Sequence, residues 1–335
     1  VDSLFPWLPD GRGAAQTPLD GSDADNRLRQ WLSGLEASHE YVLYAADNDH
    51  DPWSLRCLRQ ADRILILAEA GSAPDDVPVL EALQASGLKA PVELVLLRPD
   101  GDTSPHTLDW CRSTGARAHF FVHPWAPADI ASLARQISGR GIGLVLGGGG
   151  ARGFAHIGLI RALEQLQIPV DVVGGTSMGA FISALLACGF DSVEMEHIAH
   201  ETFVARNYLN DYTMPKVSLI RGERFHARLQ AIFGTRRIEE LRRTYYCIST
   251  NLTTGLPMVH DRGNLASWVG TSMSVPGVAP PIAFEGDLLC DGGVVNNLPT
   301  DVMQNLERGV IIACNVSNDG DIRAPGAGIG EPDQA

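Results

Sequence analysis

Two short apolar runs in this chain, residues 142–147 (IGLVLG) and 170–174 (VDVVG), each lead into a glycine-rich turn and then into a helical pattern. The turns read GGGGARG at 147–153 and GGTSMGA at 174–180, with helices expected over 154–166 and 177–188. Strands that alternate with helices in this way imply a parallel sheet covered by helices on its faces. In such a sheet both turns fall on the same edge and can face one pocket. The second turn sets Ser177 between Gly175 and Gly179 at the spacing G-x-S-x-G. Ser177 is therefore either an exposed nucleophile or the N-cap of a helix.

The alternation extends through most of the 335 residues. Strands are expected at 41–46 (YVLYAA), 63–69 (RILILAE), 92–97 (VELVLL) and 118–123 (AHFFVH), separated by helical segments. Together they make a first α/β domain over residues 23–138. It opens with a helix that Asp23 or Asp25 can cap, with Leu28, Trp31, Leu32 and Leu35 on one stripe. Residues 138–141 (SGRG) break both periodicities and mark the seam to a second α/β domain over 139–318. There, strands are expected again at 245–250, 257–261, 287–291 and 310–316, with helices near 265–274 and 299–306. Residues 1–22 read as an extended lead-in, and 319–335, rich in Gly, Pro and Asp, as a flexible tail.

Composition removes several function classes. A net charge of -14 with no long run of Lys or Arg argues against nucleic acid as a partner. Six cysteines without a C-x-x-C pair fit reduced thiols in a cytoplasmic setting, and no metal or other cofactor is expected. The longest apolar stretches, such as 180–186, fall well short of the roughly 20 residues that cross a bilayer. No basic region followed by an apolar one opens the chain, so no signal peptide is expected, and Val1 in place of Met implies a cut or processed start.

The first glycine turn contains G-x-G-x-x-G as Gly148, Gly150 and Gly153. A dinucleotide site also needs an acid at the carboxyl end of the next strand, whereas Asp171 stands at the start of its strand. A P-loop needs a lysine at the helix entry, and the chain has only Lys89 and Lys216. A glycine loop before a helix can instead turn its backbone N–H groups toward one point and hold a developing oxyanion.

A serine nucleophile needs a base. The last histidine is His260, which precedes the best acidic candidate, Asp291 in LLCDGGVVNNLP, so a triad in the order Ser, Asp, His cannot use Asp291. A triad of Asp211 with His226 or His260 remains formally open. The simpler arrangement is a dyad in which Asp291 takes the Ser177 proton directly, with Gly292 and Gly293 allowing a close approach. Taken alone, DGG is also an ordinary turn at a strand end.

In this order, GGGGARG, GTSMG and DGG resemble the glycine loop, nucleophile elbow and catalytic aspartate of the patatin-like phospholipases, over about residues 140–317. Three longer stretches are similar to the neuropathy target esterase branch of that family: residues 41–67, 143–181 and 288–303. The resemblance implies a three-layer α/β/α hydrolase domain preceded by a smaller Rossmann-like α/β domain. It implies Ser177 as nucleophile, Asp291 as base, Gly148, Gly149 and Gly150 as oxyanion hole, and Arg152 with Gly153 as support of the loop. The expected activity is deacylation of lysophospholipids and phospholipids, with peripheral contact to the cytoplasmic face of a membrane. The competing class is a nucleotide-binding regulatory protein that uses the glycine loop for phosphate.

Other features carry two readings each. Phe203, Tyr208, Tyr212, Met214, Ile220 and Phe225 either fill a core or line an acyl path and touch lipid. Residues 236–243 (RRIEELRR) fit an exposed helix or a contact to headgroup phosphates. His156 reads as a packed neighbour of the glycine loop. Residues 45–51 (AADNDHD) fit a turn or a divalent-metal site, and the first domain as a whole reads as a regulatory or docking module.

Overall fold

The computed structural model describes residues 14–46, 51–74, 90–98, 104–214 and 217–317. The chain divides into two compact units, Val1–Phe121 and Val122–Ala335. The lead-in up to residue 13, most of the AADNDHD segment and the tail from 318 lie outside the described residues.

In the first unit, α1 (Asp23–Ser38) is capped by Ser22, whose side chain accepts from the Asp25 N–H. Neither Asp23 nor Asp25 caps it. Asp25 is instead buried, and its carboxylate accepts from Arg56 at 2.7 Å and Arg29 at 2.6 Å. Then come α2 (Pro52–Gln60), capped by Asp51, β1 (Ile64–Glu69), β2 (Val92–Leu97), α3 (Thr107–Thr114) and β3 (Ala118–Val122). The strands form one sheet in the order β1-β2-β3, with β1 and β2 parallel. Residues 41–46 are not a strand. Tyr44 packs edge-on against Trp53, and the Trp53 indole donates to the Ala45 carbonyl at 2.7 Å. The β-rich composition of that stretch thus serves a small cluster around Leu28, Leu32 and Trp53 instead of a sheet.

The second unit begins with α4 (Pro127–Ile137). Ser132 and Arg135 on this helix donate to the buried Asp171 carboxylate, which also accepts the Ile142 N–H. Next come β4 (Gly141–Leu146), a 3₁₀ turn (Gly150–Phe154), α5 (Ala155–Gln165), β5 (Val172–Thr176), α6 (Met178–Ala187), α7 (Ser192–His200) and α8 (Glu223–Phe233). The chain closes with β6 (Thr244–Asn251), β7 (Leu256–His260), α9 (Leu265–Ser272), β8 (Ile282–Phe284), β9 (Asp287–Asp291), α10 (Thr300–Asn305) and β10 (Gly309–Cys314).

The sheet runs β10-β4-β5-β6-β9-β8, with β7 also paired to β6. Strands β10, β4, β5 and β6 are parallel, whereas β7 and β9 run antiparallel to β6. Alternation along the central strands explains the layering. Leu144, Leu146, Val173, Tyr245 and Cys247 belong to the large core under α5 to α9. Their neighbours Val145, Val172, Tyr246 and Ile248 pack on the other face with Met303 of α10. A sheet buried on both faces in this way is a three-layer α/β/α arrangement.

Register carries the candidate residues to one level. Thr176 pairs with Ile248 across β5 and β6, and Ser249 pairs with Asp291 across β6 and β9. Ser177 and Asp291, each one step beyond those pairings or at them, therefore meet at the same height above the sheet.

Candidate active site

The elbow forms because β5 and α6 approach the end of β4 at backbone distance. A Cβ at Gly175 would stand 2.6 Å from the Leu146 carbonyl oxygen, and one at Gly179 would overlap that same carbonyl. Only glycine fits at these two positions, so the chain turns within a single residue. That residue is Ser177, with φ 56° and ψ −124°, a left-handed conformation unusual for a side chain other than glycine. Ser177 does not cap α6 with its side chain. Its N–H donates to Ser272 Oγ at 3.0 Å, and its hydroxyl donates to Asp291 Oδ2 at 2.6 Å.

Asp291 closes β9 and is 5% exposed. Its backbone N–H donates to the Ser274 carbonyl, and its Oδ1 accepts the Gly293 N–H at 2.7 Å. Burial raises its pKa, and the bonds from Ser177 and Gly293 oppose that rise. No arginine or lysine is bonded to it among the described residues. The carboxylate is thus close to the serine, poorly solvated and without a neutralising cation, which makes it a stronger base than an exposed aspartate.

The glycine loop lies against the elbow. A Cβ at Gly148 would stand 3.1 Å from the Ser177 Cβ and 2.5 Å from Asn297 Oδ1. Asn297 holds this residue from both sides: its carbonyl accepts the Gly148 N–H at 3.2 Å, and its Nδ2 donates to the Gly148 carbonyl at 3.2 Å. The same Nδ2 donates to Ser317 Oγ at 2.9 Å. Val316 packs beside Gly149. Gly150 has φ +55°, and among the described residues no acceptor is found for the N–H of Gly149 or Gly150. Arg152 is exposed in the 3₁₀ turn, and Gly153 packs against Met178.

His156 is fully buried, and its Nε2 donates to the Gly147 carbonyl at 2.8 Å. Burial lowers its pKa against the pull of that bond, so the ring is a neutral prop under the glycine loop. His260 is taken by other partners. It stacks on Trp268 with centroids 3.8 Å apart, its Nε2 bonds Ser249 Oγ at 2.7 Å, and burial pushes its pKa down to about 4. Asp211 accepts the Arg224 N–H at 3.2 Å, and His226 is exposed on α8. The triad of Asp211 with either histidine does not assemble around Ser177. Asn297 and Ser272 escaped sequence reasoning because each acts through a bond to a residue more than ninety positions away; the NN pair after DGGVV was the only local signal.

Among the described residues, no group of three His, Cys, Asp or Glu side chains is arranged to hold a metal, and no helix is long and apolar enough to cross a membrane. The patatin-like phospholipase family matches residues 144–303, which contain the elbow, the glycine loop and Asp291, and the neuropathy target esterase family P-loop like domain matches residues 18–137. The chain belongs to the patatin-like phospholipases of the neuropathy target esterase type. Patatin-like phospholipase domain-containing protein 7 from Mus musculus is 35% identical over 87% of this chain and 24% of its own length. Patatin-like phospholipase domain-containing protein 6 from Homo sapiens shows the same values. Lysophospholipase nte1 from Aspergillus fumigatus is 35% identical over 87% of this chain and 23% of its own. The chain thus spans about a quarter of the length of these curated relatives. Besides the sheet that carries the elbow, the chain has an N-terminal unit with its own three-stranded sheet.

Proposed function

We propose that this chain is a serine hydrolase that removes a fatty acyl group from lysophospholipids and phospholipids through an acyl-enzyme. The observation that carries the reading is the 2.6 Å bond from Ser177 Oγ to a buried carboxylate, with no imidazole between them. As Ser177 Oγ attacks the ester carbonyl, its proton passes to Asp291 Oδ2. Backbone N–H groups of the glycine loop receive the oxyanion, Gly149 and Gly150 foremost, because the Gly148 N–H is bonded to Asn297. Asp291 then returns the proton to the leaving glycerol oxygen, and the C–O bond breaks. Water, giving its proton to Asp291, attacks the acyl-enzyme; fatty acid leaves and Ser177 recovers its proton. Arg152 and Gly153 belong to the turn that supports the loop.

The names of the relatives, phospholipase and lysophospholipase, support lipid esters as the substrate class. All six cysteines lie among the described residues and are free thiols, as a reducing compartment keeps them, and on this reading the chain acts there on lipid presented at a membrane surface. The N-terminal unit acts on this reading as a regulatory or docking module. Deleting residues 1–121 without loss of activity or of membrane association removes that role.

A fluorophosphonate probe tests the chemistry. Covalent labelling at Ser177, absent in Ser177→Ala, is the expected result. Tight nucleotide binding without labelling overturns it in favour of a phosphate-gripping glycine loop.

A further inference from the structure

The end of α9 holds both members of the dyad. Ser272, the last residue of the helix and fully buried, accepts the Ser177 N–H on its Oγ at 3.0 Å. Two residues later, the Ser274 carbonyl accepts the Asp291 N–H at 2.9 Å. Ser177 and Asp291 are 114 positions apart and belong to the ends of different strands, yet one three-residue segment fixes the backbone of each. That segment is firmly seated. Leu265, Ala266 and Val269 of α9 are fully buried in the large core, and Asn264 caps the helix by accepting the Ser267 N–H.

The bond falls where the backbone most needs it. Ser177 has φ 56° and ψ −124°, a conformation that is costly for a residue with a Cβ and persists only where its surroundings over-determine it. Gly175 and Gly179 give the turn its room, but space alone does not set the direction in which Ser177 faces. A buried N–H turns to its acceptor, so Ser272 Oγ sets the rotation of the Ser177 backbone and with it the path of the side chain. The same bond keeps the Ser177 N–H occupied, which leaves the oxyanion to the glycine loop.

We infer that Ser272 is a positioning residue for the nucleophile: it holds Ser177 in its left-handed conformation, so that the hydroxyl meets an Asp291 whose own backbone is fixed by the same helix end. This rests on the hydrolase reading above and adds the group that sets the geometry of its dyad. Other bonds keep the turn docked when Ser272 is replaced. Thr176 Oγ1 donates to the Asn296 carbonyl at 2.9 Å, and Ser183 Oγ to the Gly174 carbonyl at 3.0 Å.

Steady-state turnover of a water-soluble p-nitrophenyl ester across pH, with a thermal melt of each variant, is the test. Ser272→Ala should lower kcat about 10- to 100-fold with KM little changed, as expected for a misplaced reacting group. Its acid limb of kcat should move to higher pH. The bond from Ser177 opposes the rise that burial imposes on the Asp291 pKa, and a loosened Ser177 gives up that bond. Ser272→Cys fills nearly the same space with a weak acceptor and should move the limb in the same direction. Thr271→Ala is the control: it removes a buried hydroxyl that donates to the Ser267 carbonyl on the same turn, and kcat and limb should match the parent. Parental kcat or a parental limb in folded Ser272→Ala and Ser272→Cys overturns the inference, whatever their Tm. An equal loss of kcat in Thr271→Ala also overturns it, in favour of a general effect of helix stability. Failure of the hydrolase reading is separate and visible in the parent chain, as no ester turnover and no fluorophosphonate labelling at Ser177.

Discussion

Asp171 and Asp291 are both buried carboxylates on one sheet, 3% and 5% exposed, yet the fold treats them in opposite ways. Asp171 stands just before β5 and accepts from Arg135, Ser132 and the Ile142 N–H, so those bonds overcome desolvation and its pKa is lowered. Among the described residues Asp291 accepts only from the Ser177 hydroxyl and the Gly293 N–H, desolvation prevails, and its pKa is raised. The difference is the presence of a guanidinium. A neutralised carboxylate joins α4 to the sheet; a bare one keeps its affinity for a proton and sits where a hydroxyl can supply it.

Substitutions at the two aspartates should separate activity from stability. Asp291→Asn is expected to lower kcat for ester hydrolysis by about 100- to 10,000-fold, the range ascribed to a lost general base. Its Tm should hold or rise. A group with a raised folded pKa stabilises most below its ordinary value and loses that contribution as pH rises through the folded one, so ionised Asp291 costs stability at neutral pH. Full activity in this variant breaks the dyad. Asp171→Asn should do the reverse, lowering stability in urea by about 1–3 kcal/mol while activity per folded molecule stays the same; Arg135 is partly exposed and recovers some hydration.

A smaller effect is expected at Asn297→Ala, where the glycine loop loses its side-chain tether: kcat should fall about 10-fold with KM and Tm little changed, read from steady-state kinetics and a thermal melt. pH sharpens the contrast further. Asp291 must be ionised to accept a proton, so kcat should fall on acidification at a pH above the ordinary carboxylate value of 3.8. The contribution of Asp171 to stability is present above 3.8 and lost only as pH falls through its lowered value. In Asp171→Asn the acid limb of kcat should stay in place while the stability loss at low pH shrinks. Movement of the limb couples the two sites and removes the distinction.

Much of the catalytic unit was legible because its signals are local. The strand ends at Leu146 and Thr176 and the helix starts that follow them are written in glycine spacing and apolar runs, which act over a few residues. The stretch 41–46 misled for the same reason: its β-rich residues state a preference, and packing against Trp53 overrode it. Nothing in 127–137 announces that Ser132 and Arg135 bond to Asp171, because that contact spans more than thirty residues.

What the chain chemistry alone determined is the sharp turn at Ser177, since Gly175 and Gly179 permit a backbone approach that any Cβ forbids, together with the apolar strands that bring the two turns to one edge. The sequence and its resemblance already pointed to Asp291 as the acid for that serine; only the tertiary structure decided which glycine N–H is bonded to Asn297 and which aspartate is denied a cation. These depend on strand register and on contacts across more than a hundred residues, and electrostatic environment is a property of neighbours in space that no local pattern encodes.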